Sequence, residues 1–281
     1  MIQIKNIFKK YRNKNVVEDV SFDIEKGKIT SFIGPNGAGK STVLSIVTRL
    51  ISGDGGEILI EGKELKSFES KELAKKIAIL KQSNNITLKL TIRELVSFGR
   101  FPHSEGNLNA EDEKYIDEAI EYMKLTDIQD KYLDELSGGQ KQRAYIAMVI
   151  AQNTEYILLD EPLNNLDMTH SVQMMKVLRD LCNDLGKTIV LVMHDINFAS
   201  CYSDNIVALK EASGNISYTA QVAAEVPELY LYSGNDDMIV PIMSLGKRSG
   251  VHCTLENSPF IASVSVFAAV VFASPGTDSS K

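Results

Sequence analysis

The stretch GPNGAGKST, at positions 34–42, restricts the fold of this chain more than any other part of the sequence. It follows the apolar run ITSFI and precedes VLSIVTRL, whose apolar residues recur at helical spacing, so it predicts a strand, a loop and a helix in succession. Glycines let consecutive backbone N–H groups curl around an anion, and the start of the helix adds its dipole. Lys40 adds a positive charge and Ser41 a hydroxyl that can ligate Mg²⁺. The stretch therefore predicts a phosphate-binding loop.

A glycine-rich turn ahead of a helix is the alternative interpretation. It accounts for the glycines of the stretch. It gives no reason for a lysine followed by two hydroxyl residues, Ser41 and Thr42.

A second stretch, LSGGQKQR, begins at Leu136 and also has the form of a helix start. Ser137 is a typical N-cap residue, two glycines permit close approach of a ligand, and an apolar pattern continues through Ile150. Such a stretch alone usually indicates only a helix cap. Its position shortly before YILLDE favours a second helix end that binds an anion.

The run YILLDE predicts a buried strand that presents two carboxylates, Asp160 and Glu161, at its end. The pair suits metal-assisted phosphoryl transfer, because one carboxylate can join the Mg²⁺ shell while the other orients or deprotonates water. Gln82, directly after an apolar strand, could reach the metal or the water, and His194, after IVLVM, could polarise a γ-phosphate. Either of these two alone is more often structural, because buried strands commonly end in a polar residue.

The remaining hydrophobic pattern predicts an α/β fold with two kinds of sheet. Residues 2–4 and 20–24 alternate between apolar and polar side chains, as half-buried antiparallel strands do, whereas ITSFI and YILLD are dense apolar runs. Amphipathic helices are predicted over 109–123 and 169–185, and KTIVLVMH is a further buried strand. Alternating strands and helices favour a largely parallel core sheet.

Composition argues against several other classes of protein. A formal net charge of -7 argues against nucleic acid as a partner. Three cysteines without a CxxC pair suit a reducing cytosol better than a disulfide framework or a zinc site. The N-terminus lacks an apolar signal-peptide core, and the longest apolar run, residues 260–273, is shorter than the roughly 20 residues of a membrane helix.

Taken in this order, the motifs resemble those of the ATP-binding cassette (ABC) ATPases over roughly residues 1–209. The resemblance implies an ABC-type P-loop NTPase fold, α/β, with a mixed or parallel core sheet, an N-terminal antiparallel β subdomain and an α-helical subdomain at about 87–150. It implies ATP and Mg²⁺ as cofactors. It assigns catalytic roles to Glu161, His194 and Gln82; metal contacts to Ser41, Gln82 and Asp160; and nucleotide contacts to Tyr11, Gly34, Pro35, Asn36, Gly37, Ala38, Gly39, Lys40, Ser41, Thr42, Ser137, Gly138, Gly139, Gln140 and Asp167.

The same resemblance implies how such a chain assembles. In the family, two ATPase subunits form a head-to-tail homodimer, so ATP held by Lys40 of one subunit is completed by Ser137 and Gly139 of the other. Integral membrane permease subunits dock near Gln82 and the helical segment 87–132, and a substrate-binding protein takes part indirectly. The chain is accordingly expected in the cytoplasm, peripherally bound to the inner face of the cell membrane.

Two stretches indicate the class of transporter. LKQSNNITLKLTIRELVSFGRFPH and DEPLNNLD resemble most the ATPase subunits of bacterial iron-siderophore importers, petrobactin-type systems in particular. This implies ATP hydrolysis that drives uptake of ferric siderophores. The assignment depends on resemblance in the docking region, since no residue of the ATP site recognises the transported siderophore.

The sequence changes character after about residue 209. Residues 206–246 resemble late strands of dihydrodipicolinate synthase, a (β/α)₈ barrel, and Lys210 occupies the place of its Schiff-base lysine. A fragment of about two βα units cannot close a barrel or desolvate that lysine, so lyase activity is not expected. The predicted domains are therefore an ABC ATPase domain at 1–209, a barrel-enzyme-like fragment at 210–246 and a poorly ordered tail at 247–281.

Three alternatives to a transporter ATPase remain at this stage. The first is a chimeric or truncated cassette that binds ATP without coupling it to transport. The second is a lyase of the barrel family, which the missing strands argue against. The third is a soluble cassette ATPase of repair or translation, although those usually carry two cassettes or long insertions.

Overall fold

The computed structural model describes residues 1–12, 14–82, 88–164 and 166–209, together with the backbone of 231–233 and 249–251. The chain forms two compact units. The first unit comprises residues 1–66 and 192–281, and the second unit comprises residues 67–191. The predicted features at Lys210 and in the apolar run 260–273 lie outside the described residues.

The described part of the chain contains both strands and helices. The strands are β1 (Ile2–Tyr11), β2 (Lys14–Ile24), β3 (Ile29–Ile33), β4 (Gly55–Ile60), β5 (Lys63–Glu64), β6 (Ile77–Leu80), β7 (Tyr156–Asp160), β8 (Thr188–Val192), β9 (Asn205–Ala208), β10 (Leu231–Ser233) and β11 (Ser249–Val251). The helices are α1 (Lys40–Val47), α2 (Ser70–Lys76), α3 (Ile92–Ser97), α4 (Phe101–Ser104), α5 (Ala110–Tyr122), α6 (Gly138–Ala151), α7 (Met168–Leu185) and α8 (Ile196–Tyr202). Short 3₁₀ turns lie at Leu65–Ser67, Phe98–Arg100, Thr126–Ile128 and Leu133–Glu135.

An antiparallel sheet with the strand order β2-β1-β4-β5 occupies the first unit, as the alternating pattern predicts. Ile2 pairs with Ile24 and Ile4 with Phe22, and the four side chains are buried. The polar residues between them face outward, because successive side chains of a strand point to opposite faces of the sheet.

A β-bulge at Asn6 changes this alternation. The φ angle of Asn6 is 48° and that of Asp19, on the facing strand, is 50°. The Asn6 amide donates to the Asp19 carboxylate at 2.6 Å, and the Asn6 backbone N–H donates to Ser21 Oγ at 2.7 Å. The bulge shifts the register so that Ile7 becomes the next buried residue of β1. Simple alternation from Ile4 does not predict this shift.

The phosphate-loop strand and its helix also lie in the first unit. All five residues of β3 are buried, and β3 pairs in parallel with β9. Helix α1 begins at Lys40, earlier than the apolar pattern from Val43 indicates, because Gly39 caps it in a left-handed conformation with a φ of 88°. The helix ends at Val47, and Arg49 has a φ of 58°. The apolar pattern alone therefore places the helix a few residues too late.

The second unit contains the strands β6, β7 and β8, in that order, with β6 and β7 parallel.

Helices α3, α5 and α6 pack against one another. Thr91, Asn109 and Ser137 cap these helices, and each belongs to a capping box with the residue three positions later. The caps at Asn109 and Ser137 confirm the predicted helix starts. Helix α7 ends at Gly186 in a left-handed conformation, also as predicted.

A buried ion pair fixes the helical part of the second unit. Arg100 Nε donates to Asp112 Oδ1 at 2.8 Å, and Arg100 Nη1 donates to the Ala151 carbonyl at 2.9 Å. The guanidinium also lies over the Tyr115 ring, 4.4 Å from its centroid. Burial alone would raise the pKa of Asp112, but hydrogen bonds from the Asn109 backbone and from Arg100 hold that pKa below its usual value. Arg100 thus joins α5 to the end of α6.

The short strands β10 and β11 pair in parallel. Among the described residues, no helix has the length and apolar character needed to cross a bilayer.

Replacing Arg100 with methionine should lower the free energy of unfolding by about 3–5 kcal/mol, because it leaves Asp112 buried without its partner. Urea unfolding of the full chain, followed by circular dichroism, measures the change. The matched control is Arg93→Met, which removes the half-exposed ion pairs of Arg93 with Glu113 and Asp117. That control should cost about 0–1 kcal/mol. Equal losses in the two variants would contradict the role assigned to Arg100.

Candidate nucleotide-binding and catalytic site

The side chain of Lys40 turns back into the loop 34–42. Its ammonium donates to the carbonyl of Gly34 at 2.8 Å and to the carbonyl of Pro35 at 2.9 Å. Lys40 is only 5% exposed. A buried ammonium is stable only with such partners. The loop therefore places a positive charge at its own centre.

Glycines at both ends of this loop allow close contact with neighbouring strands. Gly34 has a φ of 150°, and a Cβ there would lie 2.0 Å from the Leu209 carbonyl oxygen. Gly39 has a φ of 88°, and a Cβ there would lie 2.6 Å from the Val16 carbonyl oxygen. Both distances are far below van der Waals contact. The packing requires glycine at the two positions.

The start of α1 is built to bind an anion. Its N-cap, Gly39, provides no side-chain hydrogen bond to the first backbone N–H groups of the helix. Those N–H groups and the helix dipole favour negative charge. Ser41 and Thr42 lie half-buried in the first turn.

Two further predicted residues belong to the first unit. Tyr11 ends β1, is 47% exposed and has the Lys9 ammonium 5.4 Å from its ring centroid. His194 follows β8 and is exposed, and the next residue, Asp195, caps α8. Both side chains are therefore accessible to a ligand.

The carboxylates of the second unit follow a fully buried strand. Asp160 is the last residue of β7 and is 8% exposed. Glu161 comes next, with a φ of 53°. A left-handed backbone at a residue other than glycine costs roughly 1–2 kcal/mol and is common where a side chain is held for function. The sequence predicts the position of this pair, but not the backbone strain.

The carboxylate of Glu161 has two amide donors. Gln82 Nε2 donates to Glu161 Oε2 at 2.6 Å, and Asn164 Nδ2 donates to the same oxygen. The structure thus brings Gln82 and Glu161 together, as the sequence analysis grouped them. Sequence reasoning missed Asn164, although an asparagine three residues after a glutamate in the turn EPLNN could have suggested a side-chain contact. It also missed Gln142, whose amide donates to the Pro162 carbonyl at 3.0 Å.

The predicted anion-binding residues 137–140 form the start of α6. Ser137 Oγ accepts a hydrogen bond from the Gln140 N–H at 3.3 Å, and Gln140 Oε1 accepts one from the Ser137 N–H at 3.0 Å. Ser137 and Gly138 are exposed. A Cβ on Gly139 would lie 3.4 Å from Leu166, which precedes Asp167, a predicted nucleotide contact.

Asp167 caps helix α7. Its carboxylate accepts the backbone N–H of His170 at 2.8 Å and contacts His170 Nδ1 at 2.8 Å. The backbone hydrogen bond and then the side-chain bond of His170 lower the pKa of Asp167. The carboxylate therefore stays ionised and exposed.

Each unit holds part of the predicted set. The first unit carries Tyr11, the loop 34–42 and His194, and the second carries Gln82, Asp160, Glu161, Asp167 and the residues 137–140. A family model described as ABC transporter matches residues 17–164, which is more than half of the chain.

The chain belongs to the ABC transporter family.

Relatives of known name agree with this assignment. The chain is 59% identical over 253 residues to the petrobactin import ATP-binding protein YclP of Bacillus subtilis (strain 168), which covers 90% of this chain and 99% of YclP. It is 42% identical over 205 residues to the iron(3+)-hydroxamate import ATP-binding protein FhuC of the same organism, with 72% of this chain and 76% of FhuC covered. The dimeric post-hydrolysis structure of the ATP-binding cassette MJ0796, bound to ADP and Pi, has a TM-score of 0.67 at 33% identity and covers 75% of this chain and 94% of that cassette.

A second family model, the dihydrodipicolinate synthetase family, matches residues 191–269. This confirms the resemblance of the C-terminal segment and extends it at both ends beyond 206–246. Among the residues of this match that the structure describes, 205–208 form β9 and pair with β3. The described start of the match therefore takes part in the first unit.

Replacing Gly39 with alanine should destabilise the chain by about 1–3 kcal/mol more than replacing Gly37, as expected for a core overpacking. Gly37 is a matched control, because its φ is 85°, near that of Gly39, yet a Cβ there would meet nothing within 4 Å. Both variants bear the left-handed strain, so the difference isolates the contact with Val16. Thermal unfolding of the two variants measures it, and equal melting temperatures would refute the close approach.

Proposed function

We propose that this chain binds and hydrolyses ATP as the motor subunit of an ABC importer for ferric siderophores. The observation that carries the proposal is the buried Lys40 ammonium, held inside a glycine loop at the start of a helix. Lysine and backbone N–H groups in this arrangement bind the phosphates of a nucleotide. The exposed Tyr11 ring offers a surface on which adenine can stack.

Magnesium fits the side chains assigned to it. Ser41, Asp160 and Gln82 offer hydroxyl, carboxylate and amide oxygens, the ligand types that Mg²⁺ prefers. When bound, Mg²⁺ neutralises charge on the phosphates as the terminal phosphoryl group leaves. The protein then has to position a water molecule and accept its proton.

Glu161 is suited to that task. A water oxygen positioned by its carboxylate attacks the γ-phosphorus as the bond to the β-phosphate oxygen breaks, which releases ADP. The carboxylate takes the water proton and passes it to the phosphate product. Its Oε2 accepts two amide hydrogen bonds, so Gln82 and Asn164 compete with water for that oxygen. His194, exposed after β8, can polarise the γ-phosphate.

The proposed catalytic unit is a homodimer. Ser137 and Gly138 lie exposed at a helix start in the second unit, where a second copy can approach them. We assign Ser137, Gly139 and Asp167 of one copy to the nucleotide held by Lys40 of the other. The dimeric MJ0796 cassette, bound to ADP and Pi, supports this assignment.

Iron-siderophore import is supported by the names of the relatives YclP and FhuC. Permease subunits would bind the helical segment of the second unit, where Leu88, Phe98 and Phe101 are 64%, 49% and 60% exposed. Exposed apolar side chains of this size favour a protein interface. The chain would then act at the inner face of the membrane, with a substrate-binding protein delivering the cargo to the permease.

The proposed domains are 1–209, 210–246 and 247–281. The residues assigned to ATP hydrolysis all lie in the first, so the segment after residue 209 bears on whether hydrolysis drives transport. A cassette that binds ATP without driving transport is the competing function. Co-purification of the chain with its permease subunits separates the two, because only a coupled cassette binds them.

Replacing Glu161 with glutamine should reduce ATP hydrolysis by a factor of about 10²–10⁴, the usual contribution of a general base, and leave ATP binding intact. Glutamine keeps the shape of the side chain but cannot accept the proton. For the wild type, the rate per chain should rise with protein concentration, because the site is completed by a second copy. Phosphate release and nucleotide fluorescence measure the two properties. A rate per chain that is independent of concentration would contradict the dimer.

A mixture of two inactive variants tests the shared site directly. Lys40→Ala removes the phosphate ligand, whereas Ser137→Asp keeps an N-cap side chain but places a negative charge toward the partner's nucleotide. Mixed dimers contain one site free of both changes, so the mixture should recover part of the wild-type hydrolysis rate. Each variant alone should stay inactive. No recovery on mixing would indicate a site built within a single chain.

A further inference from the structure

A cavity of about 380 Å³ lies within the second unit, beside helix α6. Its wall comprises the end of α5 (Tyr122–Lys124), Arg143 of α6, Leu166 and one face of α7 from His170 to Asp184. The cavity is separate from the residues assigned to ATP. Its volume falls within the range of small-molecule sites.

Polar atoms in this wall lack partners. The Tyr122 hydroxyl oxygen and Arg143 Nε are buried, and neither has a hydrogen-bond partner in the described part of the chain. Leaving a buried polar group unsatisfied costs about 1–3 kcal/mol, and more for a charged group. Two such groups beside one cavity are hydrogen-bonding groups that a ligand can complete.

Charges of both signs face the cavity. Lys124, Arg143 and Lys176 contribute positive charge, and Asp180 and Asp184 contribute negative charge. In the described chain, no ion pair joins these cations to these carboxylates. The cavity therefore presents both charges to whatever enters it.

The acidic residues occupy one end of the α7 face. Asp180 and Asp184 lie four and eight residues after Lys176, which corresponds to about 6 and 12 Å along the helix. Tyr122 belongs to the acidic end, because burial and then the charges of Asp180 and Asp184 raise its pKa to about 12. Its hydroxyl stays protonated at neutral pH and can still accept a hydrogen bond.

We propose that this cavity binds a small zwitterion, an amino-acid-like molecule whose carboxylate contacts Arg143 and whose ammonium lies toward Asp180 and Asp184. A carboxylate matches the planar guanidinium through two parallel N–H bonds. The ammonium can donate to the aspartates and to the Tyr122 hydroxyl. The apolar side chains of Met123, Met174 and Val177 cover the alkyl part between the two charges.

Occupancy of the cavity would affect hydrolysis, a consequence that rests on the proposed function. Arg143 belongs to α6, the helix that Ser137 begins, and Leu166 precedes Asp167. A ligand between them contacts both elements assigned to the partner's nucleotide. It therefore changes the rate at which a closed dimer forms.

Calorimetric titration of the full chain without nucleotide tests the site, with 6-aminohexanoate as the probe. Hexanoate and hexylamine, which carry only one of the two charges, are the reference compounds. We expect 6-aminohexanoate to bind at one site per chain and at least about tenfold more tightly than either reference compound, a difference of about 1.4 kcal/mol. Equal affinity for hexanoate, or no heat from 6-aminohexanoate at millimolar concentration, would overturn the proposal.

Substitutions in the cavity wall test whether the probe binds there. Arg143→Met and Asp184→Asn should each weaken binding at least about tenfold. The matched controls Arg93→Met and Asp127→Asn, away from the cavity, should not change it. Tyr122→Phe removes a hydroxyl that has no described partner, so it should weaken binding without lowering the melting temperature. Unchanged affinity in Asp184→Asn and Tyr122→Phe would place the probe elsewhere and overturn the proposal, even if Arg143→Met does not fold.

Hydrolysis assays then test the coupling. Saturating 6-aminohexanoate should change the ATP hydrolysis rate of the wild type but not that of Asp184→Asn. Because binding is measured without nucleotide, a chain that binds the probe but does not hydrolyse ATP refutes the proposed function and leaves the site standing. A chain that hydrolyses ATP but does not bind the probe refutes the site alone.

Discussion

The Lys40 ammonium and the two carbonyls that hold it are the interaction on which the nucleotide loop depends. A buried cation has to be surrounded by oxygens, and the loop supplies them only if its backbone bends tightly. Gly34 and Gly39 permit that bend and let the Leu209 and Val16 carbonyls approach. The buried charge of Lys40 therefore depends on the backbone conformation of the loop, and that conformation depends on the close packing at Gly34 and Gly39. Phosphates that enter the loop meet a charge already in place, so little reorganisation is needed on binding.

The carboxylate proposed to be catalytic is held by different interactions. Glu161 is held in a left-handed backbone conformation directly after a fully buried strand, and two amides donate to one of its oxygens. The carboxylate is thus held in position, but one of its oxygens already accepts two hydrogen bonds. Gln82 precedes the segment proposed to contact the permease, so a contact that moves Gln82 would remove one of the two hydrogen bonds on that oxygen. Hydrolysis would then respond to the state of the transporter through this partner of the carboxylate.

Local patterns predicted much of this structure. The strands β1 and β2, the caps at Asn109 and Ser137 and the carboxylates after β7 follow from periodicity and capping rules that act over a few residues. The bulge at Asn6, the early start of α1 and the Arg100–Asp112 pair were not predicted. They depend on a facing strand, on a left-handed glycine and on residues far apart in sequence. The family resemblance assigned catalytic roles to Gln82 and Glu161, whereas the hydrogen bond between them and the contact of Asn164 were found only in the structure.

The contact between Gly34 and Leu209 also limits how the C-terminal part of such a chain can be exchanged. Leu209 is buried, its N–H donates to the Ile33 carbonyl at 2.8 Å, and its own carbonyl lies against Gly34. Both contacts use backbone atoms, so a replacement that keeps the chain extended through position 209 keeps this wall of the phosphate loop. The proposed boundary at residue 209 lies directly after the wall, whereas the barrel-family match begins at residue 191. Exchange of the C-terminal part would thus be limited by one hydrogen-bonded strand rather than by a linker between domains.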